Sequence, residues 1–138
     1  QFCPAALDVL DFGCGHAPVL VELLQQAGFS AVGYDPFFFP ELPDDLKFDA
    51  VVSVETFEHF FQPVAELARI GEWLKPQGIL IIKTQMLQPQ MDFREWWYVR
   101  DFTHTFFYRI QTFEWIAQNL DWRLLFSDQR EHVVFMKK

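Results

Sequence analysis

The chain has 138 residues, enough for one domain and short for two, and 51% of them are apolar, so it can bury a sizeable core. Its longest apolar runs are strand-sized and broken by charge, which excludes a membrane-spanning helix. Eleven Lys and Arg against nineteen Asp and Glu give a net charge of −8, and the basic residues never form a run, so nucleic acid is a poor partner.

No basic, apolar leader with a small-residue cleavage site opens the sequence. Cys3 and Cys14 lie eleven positions apart without a CxxC, which excludes a cysteine-built zinc ribbon or a disulfide scaffold within these residues. A reduced, cytoplasmic setting is expected. The start on Gln1 rather than Met reads as a processed product or an excised piece of a longer chain. Seventeen Phe and five Trp leave two readings: an aromatic-heavy core, or an apolar surface covered by a ligand, further chain or a second copy in a homodimer.

Strand-like and helix-like segments alternate. Asp8 to Phe12 is a short apolar strand running into the turn Gly13-Cys14-Gly15. Pro18 suits a helix start, Val19, Leu20, Leu23, Leu24 and Ala27 follow helical spacing, and Gly28 is the natural residue just past the end. Ala31 to Tyr34 is the next strand, closed by Asp35-Pro36. Phe37 to Lys47 reads as loop and Phe48 to Val54 as a buried strand. Pro63 to Leu74 is an amphipathic helix, Lys75 to Gly78 a turn, and Ile79 to Ile82 a central strand. Residues 85 to 108 are irregular and aromatic, Phe113 to Leu120 is a helix, and Trp122 to Phe126 with Val133 to Met136 make a closing antiparallel pair at an edge. This alternation predicts a single α/β domain over 1–138, with a mostly parallel sheet.

The turn after the first strand lets backbone approach a ligand closely, and the helix that follows favours an anion. Asp35 ends the second strand, about where an acid accepts both hydroxyls of a ribose. Turn, helix and acid in this order point to an adenosine-bearing cofactor. A nicotinamide fingerprint wants three glycines as G-x-G-x-x-G, and here Pro18 stands in the third place, which counts against an oxidoreductase.

An acid two positions before the first glycine, as Asp11 is, points elsewhere. The stretch "DVLDFGCG" at Asp8 to Gly15 resembles motif I of class I S-adenosylmethionine-dependent methyltransferases. "VGYDP", "FDAVVSVETFEHF" and "LKPQGILII" resemble, in order, their second motif, their fourth strand with its turn, and the entry to their fifth strand. The resemblance implies a Rossmann-like methyltransferase fold with helices on both faces and S-adenosylmethionine as cofactor. It places Asp11, Phe12, Gly13, Cys14 and Gly15 at the methionine part, with Asp11 orienting the loop or meeting the amino group. It places Asp35 and Pro36 at the ribose, and Val54 and Glu55 beside the cofactor. Cys14 reads as a packing residue rather than a nucleophile. Ala17 stands where the family often has a third glycine.

Only twelve residues separate Asp35 from Phe48, too few for a helix and a strand. The third strand of the usual seven, with its adenine-contacting acid, is therefore expected to be missing. That leaves a six-stranded sheet with an antiparallel C-terminal strand, and Phe37-Phe38-Phe39 either near the adenine or in the edge of the core.

Glu55, Glu58 and His59 fall within five positions, and His104 lies in the loop after the next strand. The E-x-x-E-H spacing with a distant His resembles the metal set of small-RNA 2′-O-methyltransferases, and a similar turn occurs in ubiquinone-pathway O-methyltransferases. The resemblance implies one divalent ion on Glu55, Glu58, His59 and His104, with Mn, Fe, Zn or Co suiting these donors more readily than Mg. Two other readings stand beside it: metal-free catalytic or substrate-contacting roles for Glu58, His59 and His104, or structural roles only. Trp96, Trp97, Tyr98, Phe106, Phe107 and Tyr108 either wall a substrate pocket, with Arg94, Arg100 and Arg109 for an anionic substrate, or form a lid packed on the sheet. The expected activity is O-methylation of a small molecule. The alternatives are a non-catalytic module that binds the cofactor and a nicotinamide oxidoreductase.

Overall fold

The computed structural model describes residues 6–43 and 45–138, so the expectations for Gln1 and Cys3 lie outside the described residues. Among the described residues, six strands and three α-helices follow in the order β1 (Asp8–Phe12), α1 (Val19–Gln26), β2 (Ser30–Tyr34), β3 (Phe48–Val54), α2 (Pro63–Trp73), β4 (Leu74–Lys83), α3 (Ile110–Asn119), β5 (Trp122–Ser127) and β6 (His132–Lys137). They form one sheet of order β2-β1-β3-β4-β6-β5. The first four strands are mutually parallel. β6 is antiparallel to both of its neighbours.

The six-stranded sheet expected from the short Asp35–Phe48 connection is therefore present, and no strand pairs outside β2 among the described residues. The closing pair is antiparallel as expected, but only β5 is an edge. β6 lies inside because Val133 and Phe135 are fully buried, whereas β5 exposes Leu125 and Phe126 to solvent.

Alternation along the strands gives the sheet two apolar faces. Val9, Ala31 and the half-buried Val52 meet Val21 and Leu24 of α1 on one face. Leu10, Phe12, Val51, Leu80 and Ile82 meet Leu67 and Ile70 of α2 and Phe113 and Ile116 of α3 on the other. Helices thus cover both faces. α1 ends as its sequence predicts: Gly28 takes φ +93, its N–H bonds the Gln25 carbonyl, and Phe29 N–H bonds the Leu24 carbonyl. Pro63 occupies the first turn of α2, where a missing N–H costs nothing. The Lys75–Gly78 turn sits within β4, with Gln77 at φ +62 between the Phe48–Leu74 pair and the ladder that resumes at Ala50–Ile79.

Parallel order brings the carboxyl ends of β1, β2, β3 and β4 to one side of the sheet. The turn after β1, Asp35, the turn after β3 and residue 84 onward all open there. No helix among the described residues is long and apolar enough to cross a membrane.

Candidate functional site

The turn after β1 is tied to the end of β2. Gly13 and Cys14 donate their N–H groups to the Tyr34 carbonyl at 2.8 and 3.1 Å. Gly15 N–H donates to Asp35 Oδ2 at 3.1 Å. Asp35 Oδ1 accepts from Phe37 N–H at 2.9 Å and Phe38 N–H at 3.2 Å. Asp35 is 92% buried by this arrangement, being 8% exposed. Its carboxylate therefore joins two loops before any ligand is considered.

Gly13 and Gly15 both need left-handed backbone, at φ +87 and +67. Their surroundings differ. A Cβ on Gly13 would collide with the Thr56 side chain, while a Cβ on Gly15 would meet open space. Cys14 packs its sulfur against Gly33, where a Cβ would come within 2.7 Å of it. Burial, with the charges of Asp11 and Asp35, pushes the Cys14 thiol up to about 11, which suits a packing residue and not a nucleophile. Asp11 is buried under the loop, and burial raises its carboxyl to about 6.

A cavity of about 500 Å³ opens beside this loop, within the usual range for small-molecule sites. Of the residues expected at the cofactor, Phe12, Gly13, Asp35, Pro36 and Glu55 line it. Asp11, Cys14, Gly15 and Val54 do not line it and stand behind or beside the wall. Phe37 reaches the cavity. Phe38 instead packs on His16, with ring centroids 5.7 Å apart, and Phe39 exchanges two backbone hydrogen bonds with Asp35.

The opposite wall was not foreseen. It comes from Thr56, the Phe60–Phe61 lead-in, and Gln62, Ala65, Glu66 and Arg69. These last four stand at i, i+3, i+4 and i+7, Gln62 just before α2 and the others on the face of α2 that borders the buried Ile70. That spacing was present in the sequence as the polar stripe of an amphipathic helix.

After β3 the chain makes a sharp reversal. Glu55 sits at φ +50, an unusual value for a residue with a side chain, and a 3-10 turn over Phe57–His59 follows. The reversal buries Glu58 completely. Glu58 Oε2 accepts from Thr84 Oγ1 at 2.9 Å, and Oε1 has no hydrogen-bond partner. Burial raises the Glu58 carboxyl, and neighbouring Glu55 raises it further. Glu55 is also pushed up by burial, but hydrogen bonds from Lys83 and Tyr98 outweigh that and hold it below its ordinary value. Burial and the neighbouring carboxyl thus both disfavour charge on Glu58, while Glu55 is held low by its partners.

The expected metal set is only partly assembled. Glu58, His59 and His104 each present a ligand atom within 4.8 Å of the others. Glu55 stands outside this group. Its Oε1 is paired with Lys83 at 3.0 Å and its Oε2 accepts the Tyr98 hydroxyl at 3.0 Å. Both imidazoles are oriented from behind: His59 Nδ1 lies 3.0 Å from the Thr103 carbonyl, and His104 Nδ1 lies 2.7 Å from the Tyr98 carbonyl. A carbonyl accepts only, so Nδ1 carries a proton in both rings and Nε2 is the atom left to face other groups, with His104 Nε2 3.6 Å from Asp101 Oδ2. The rings meet edge to face at 4.9 Å. The donor chemistry of the three residues fits a divalent ion, and the orphaned Glu58 oxygen is what such an ion would satisfy. His59 also lines the 500 Å³ cavity, so cluster and cavity are continuous.

The aromatic segment follows the lid reading. Trp96 and Tyr98 are buried with Leu87 in a small core of their own, and Tyr108 joins the main core. None of the expected aromatic residues lines the cavity. Trp97, Phe102 and Phe106 face solvent. Arg94 and Arg109 are exposed, and Arg100 lies 3.9 Å from Glu95. No arginine of this segment reaches the cavity, so the structure does not bring an anion-binding group there from it.

Residues 1–126 match the family described as methyltransferase domain. A ubiquinone biosynthesis O-methyltransferase of Bradyrhizobium diazoefficiens is 29% identical over 105 residues, which is 59% of this chain and 41% of that protein. The chain thus spans less than half the length of the curated relatives it matches. A SAM dependent methyltransferase from Archaeoglobus fulgidus superposes with a TM-score of 0.69 at 17% identity, covering 96% of this chain and 86% of that one. The plantazolicin methyltransferase BpumL, solved in complex with SAH, gives a TM-score of 0.61 at 13% identity over 99% of this chain and 78% of that one. These last two likenesses concern the fold alone. With a family match over most of its length, and with a loop, acid and cavity at the carboxyl ends of a six-stranded sheet, the chain belongs to the methyltransferase domain family.

Proposed function

We propose that this domain transfers a methyl group from S-adenosylmethionine to an oxygen of a small molecule, with a divalent metal held by Glu58, His59 and His104. The observation that carries the reading is the continuity of one cavity from Gly13 and Asp35 to His59 of the three-residue cluster. The named activity of the ubiquinone-pathway relatives supports oxygen as the acceptor atom.

Bound S-adenosylmethionine supplies a methyl already activated on a sulfonium. The chain has to align an acceptor behind that methyl and exclude water, and orientation is worth roughly 7–11 kcal/mol of such a barrier. The carbon–sulfur bond breaks as the carbon–oxygen bond forms, S-adenosylhomocysteine leaves, and the acceptor hydroxyl gives up its proton. His59, its ring fixed through Nδ1, would hold the ion through Nε2, and the acceptor's proton passes to solvent water. A divalent ion held by Glu58, His59 and His104 would polarise the same hydroxyl. Thr84, Tyr98 and Lys83 fix the two glutamates so that Glu58 faces the imidazoles and Glu55 does not.

The test is methyl transfer from labelled S-adenosylmethionine to a panel of phenols, catechols and alcohols, with chelator or with added Mn. Transfer that needs Mn, and a His104→Ala variant that binds S-adenosylhomocysteine normally but Mn weakly, are the expected results. Equal Mn uptake by wild type and variant would remove His104 from the site. Transfer to nitrogen or carbon acceptors alone would refute the oxygen assignment.

A further inference from the structure

We infer that Asp101 is the fourth protein ligand of the divalent ion, in the place where the sequence spacing put Glu55. The inference rests on the metal reading above and completes its donor set.

Glu58, His59 and His104 offer one carboxylate and two imidazoles. Affinity for a divalent ion rises with the number of anionic donors, so a second carboxylate matters. Glu55 does not supply it. Lys83 sits 3.0 Å from one of its oxygens, and the other accepts the Tyr98 hydroxyl.

Asp101 lies three residues before His104, in a turn closed by His104 N–H on the Asp101 carbonyl at 3.1 Å. Its Oδ2 is 3.6 Å from His104 Nε2, the ring nitrogen that the Tyr98 carbonyl leaves for other groups. Two donors each about 2.1 Å from one ion stand roughly 3–3.5 Å apart, so this pair is close to a ligating separation. The His104 ring is fixed. Its side chain is 6% exposed and packs on the Tyr98 ring with centroids 4.1 Å apart.

The carboxylate has one oxygen to spare. Oδ1 accepts from Thr103 N–H at 2.9 Å and from the Thr103 hydroxyl at 2.6 Å. Oδ2 has no Lys or Arg within 4 Å among the described residues, and His104 is its one ionisable partner there. The Thr103 carbonyl also accepts His59 Nδ1, so the same residue braces Asp101 and the second imidazole. The loop is joined to the turn after β3 by Thr105 and Phe106 N–H on the Glu58 carbonyl, and by the Thr105 hydroxyl on the Phe60 carbonyl. The elements that carry Glu58, His59, Asp101 and His104 are thus one braced unit. The Asp101 side chain is 45% exposed, so it can rotate to bring Oδ2 onto the ion. An independent sign that a cation belongs here is the fully buried Glu58, whose Oε1 has no partner.

Calorimetry with manganese chloride alone and cobalt chloride alone tests this on the folded wild type, Asp101→Asn, Asp101→Ala and Glu55→Gln. Asparagine keeps an oxygen for Thr103 and loses only the anionic donor. Both Asp101 variants should bind Mn and Co roughly tenfold or more weakly, while Glu55→Gln stays close to wild type. S-adenosylhomocysteine affinity should be unchanged in the Asp101 variants. At saturating cobalt, the visible absorption of Asp101→Asn should differ from that of wild type, which a residue that only shapes the loop would not cause. Wild-type affinity for both ions in Asp101→Asn, or an unaltered cobalt spectrum, would overturn the inference and leave the three-residue site standing. Failure of wild type to take up either ion would overturn the metal reading as well. Melting temperatures without metal should agree within a few degrees for wild type and Asp101→Asn, which confirms that the variant reports on binding and not on folding.

Discussion

Glu58→Gln is expected to make the metal-free protein more stable and the metal-loaded protein less so. Glu58 is fully buried, one of its oxygens has no partner, and burial raises its carboxyl above the ordinary value of 4.5. Below that value both folded and unfolded chains hold the proton and there is no penalty. As pH rises past it, the unfolded chain releases its proton more readily than the folded one, so stability falls with pH. Glutamine keeps the shape, still accepts from Thr84, and carries no charge. Leaving a buried acceptor unpaired costs about 1–3 kcal/mol, more when it is charged. For a domain of this size, each kcal/mol moves the melting temperature by roughly 3–4 °C. The variant should therefore melt about 4–10 °C above wild type in chelator at pH 8, with a smaller gap at pH 5. Mn at a hundred times its dissociation constant would add about 2.7 kcal/mol to the wild type. The variant, lacking a ligand, should gain little, so the order of melting temperatures narrows or reverses. Differential scanning calorimetry across pH, with chelator and with Mn, reads both effects. A variant less stable than wild type in chelator at pH 8 would refute the orphaned-carboxylate argument. An equal Mn response would refute Glu58 as a ligand.

Asp11→Asn should stabilise the domain above pH 6 and lose its advantage below pH 4. The folded carboxyl at about 6 against an ordinary 3.8 is a penalty of about 3 kcal/mol at neutral pH; urea melts showing a pH-independent difference would contradict this. Gly13→Ala and Gly15→Ala both meet left-handed backbone, worth about 1–2 kcal/mol. Only Gly13→Ala also displaces Thr56, so it should be clearly the less stable in a thermal scan, and equal melting would count against the packing described. Gly15→Arg should fold and block S-adenosylhomocysteine, and unchanged affinity would refute the assigned loop.

The parts legible in the sequence are those where one local rule decides. Gly28 closes α1, Pro63 opens α2, and the short Asp35–Phe48 connection leaves no room for another strand. Glu58, His59 and His104 were legible as a cluster because β3 and β4 end on the same side of the sheet. What could not be read depended on side-chain direction. The i, i+3 spacing of Glu55 and Glu58 suggested a shared face, but the positive φ at Glu55 swings it onto Lys83 and Tyr98. Aromatic residues from Trp96 to Tyr108 carry no periodicity that separates a cavity wall from a lid, and tertiary burial decided in favour of the lid. The α2 wall was missed because a polar helical stripe is the usual solvent face.

Asp35 shows how little of this site is left for a ligand to organise. An ionised carboxylate offers about four lone-pair positions. Three N–H groups, from Gly15, Phe37 and Phe38, already claim part of that capacity. The Tyr34 carbonyl likewise holds Gly13 and Cys14 N–H. Both loops are therefore fixed to each other through one carboxylate and one carbonyl at the end of β2. A ribose placed at Asp35, as proposed, would meet acceptors whose orientation is already set, so ordering the loops would not have to be offset by binding. The same economy explains the division of labour in the cavity. Asp35 is committed to the loops and keeps at most a share of its oxygens for a ligand, so most polar contacts have to come from elsewhere in the cavity. α2, braced by Tyr34 and Arg69, is the element that faces the remaining volume.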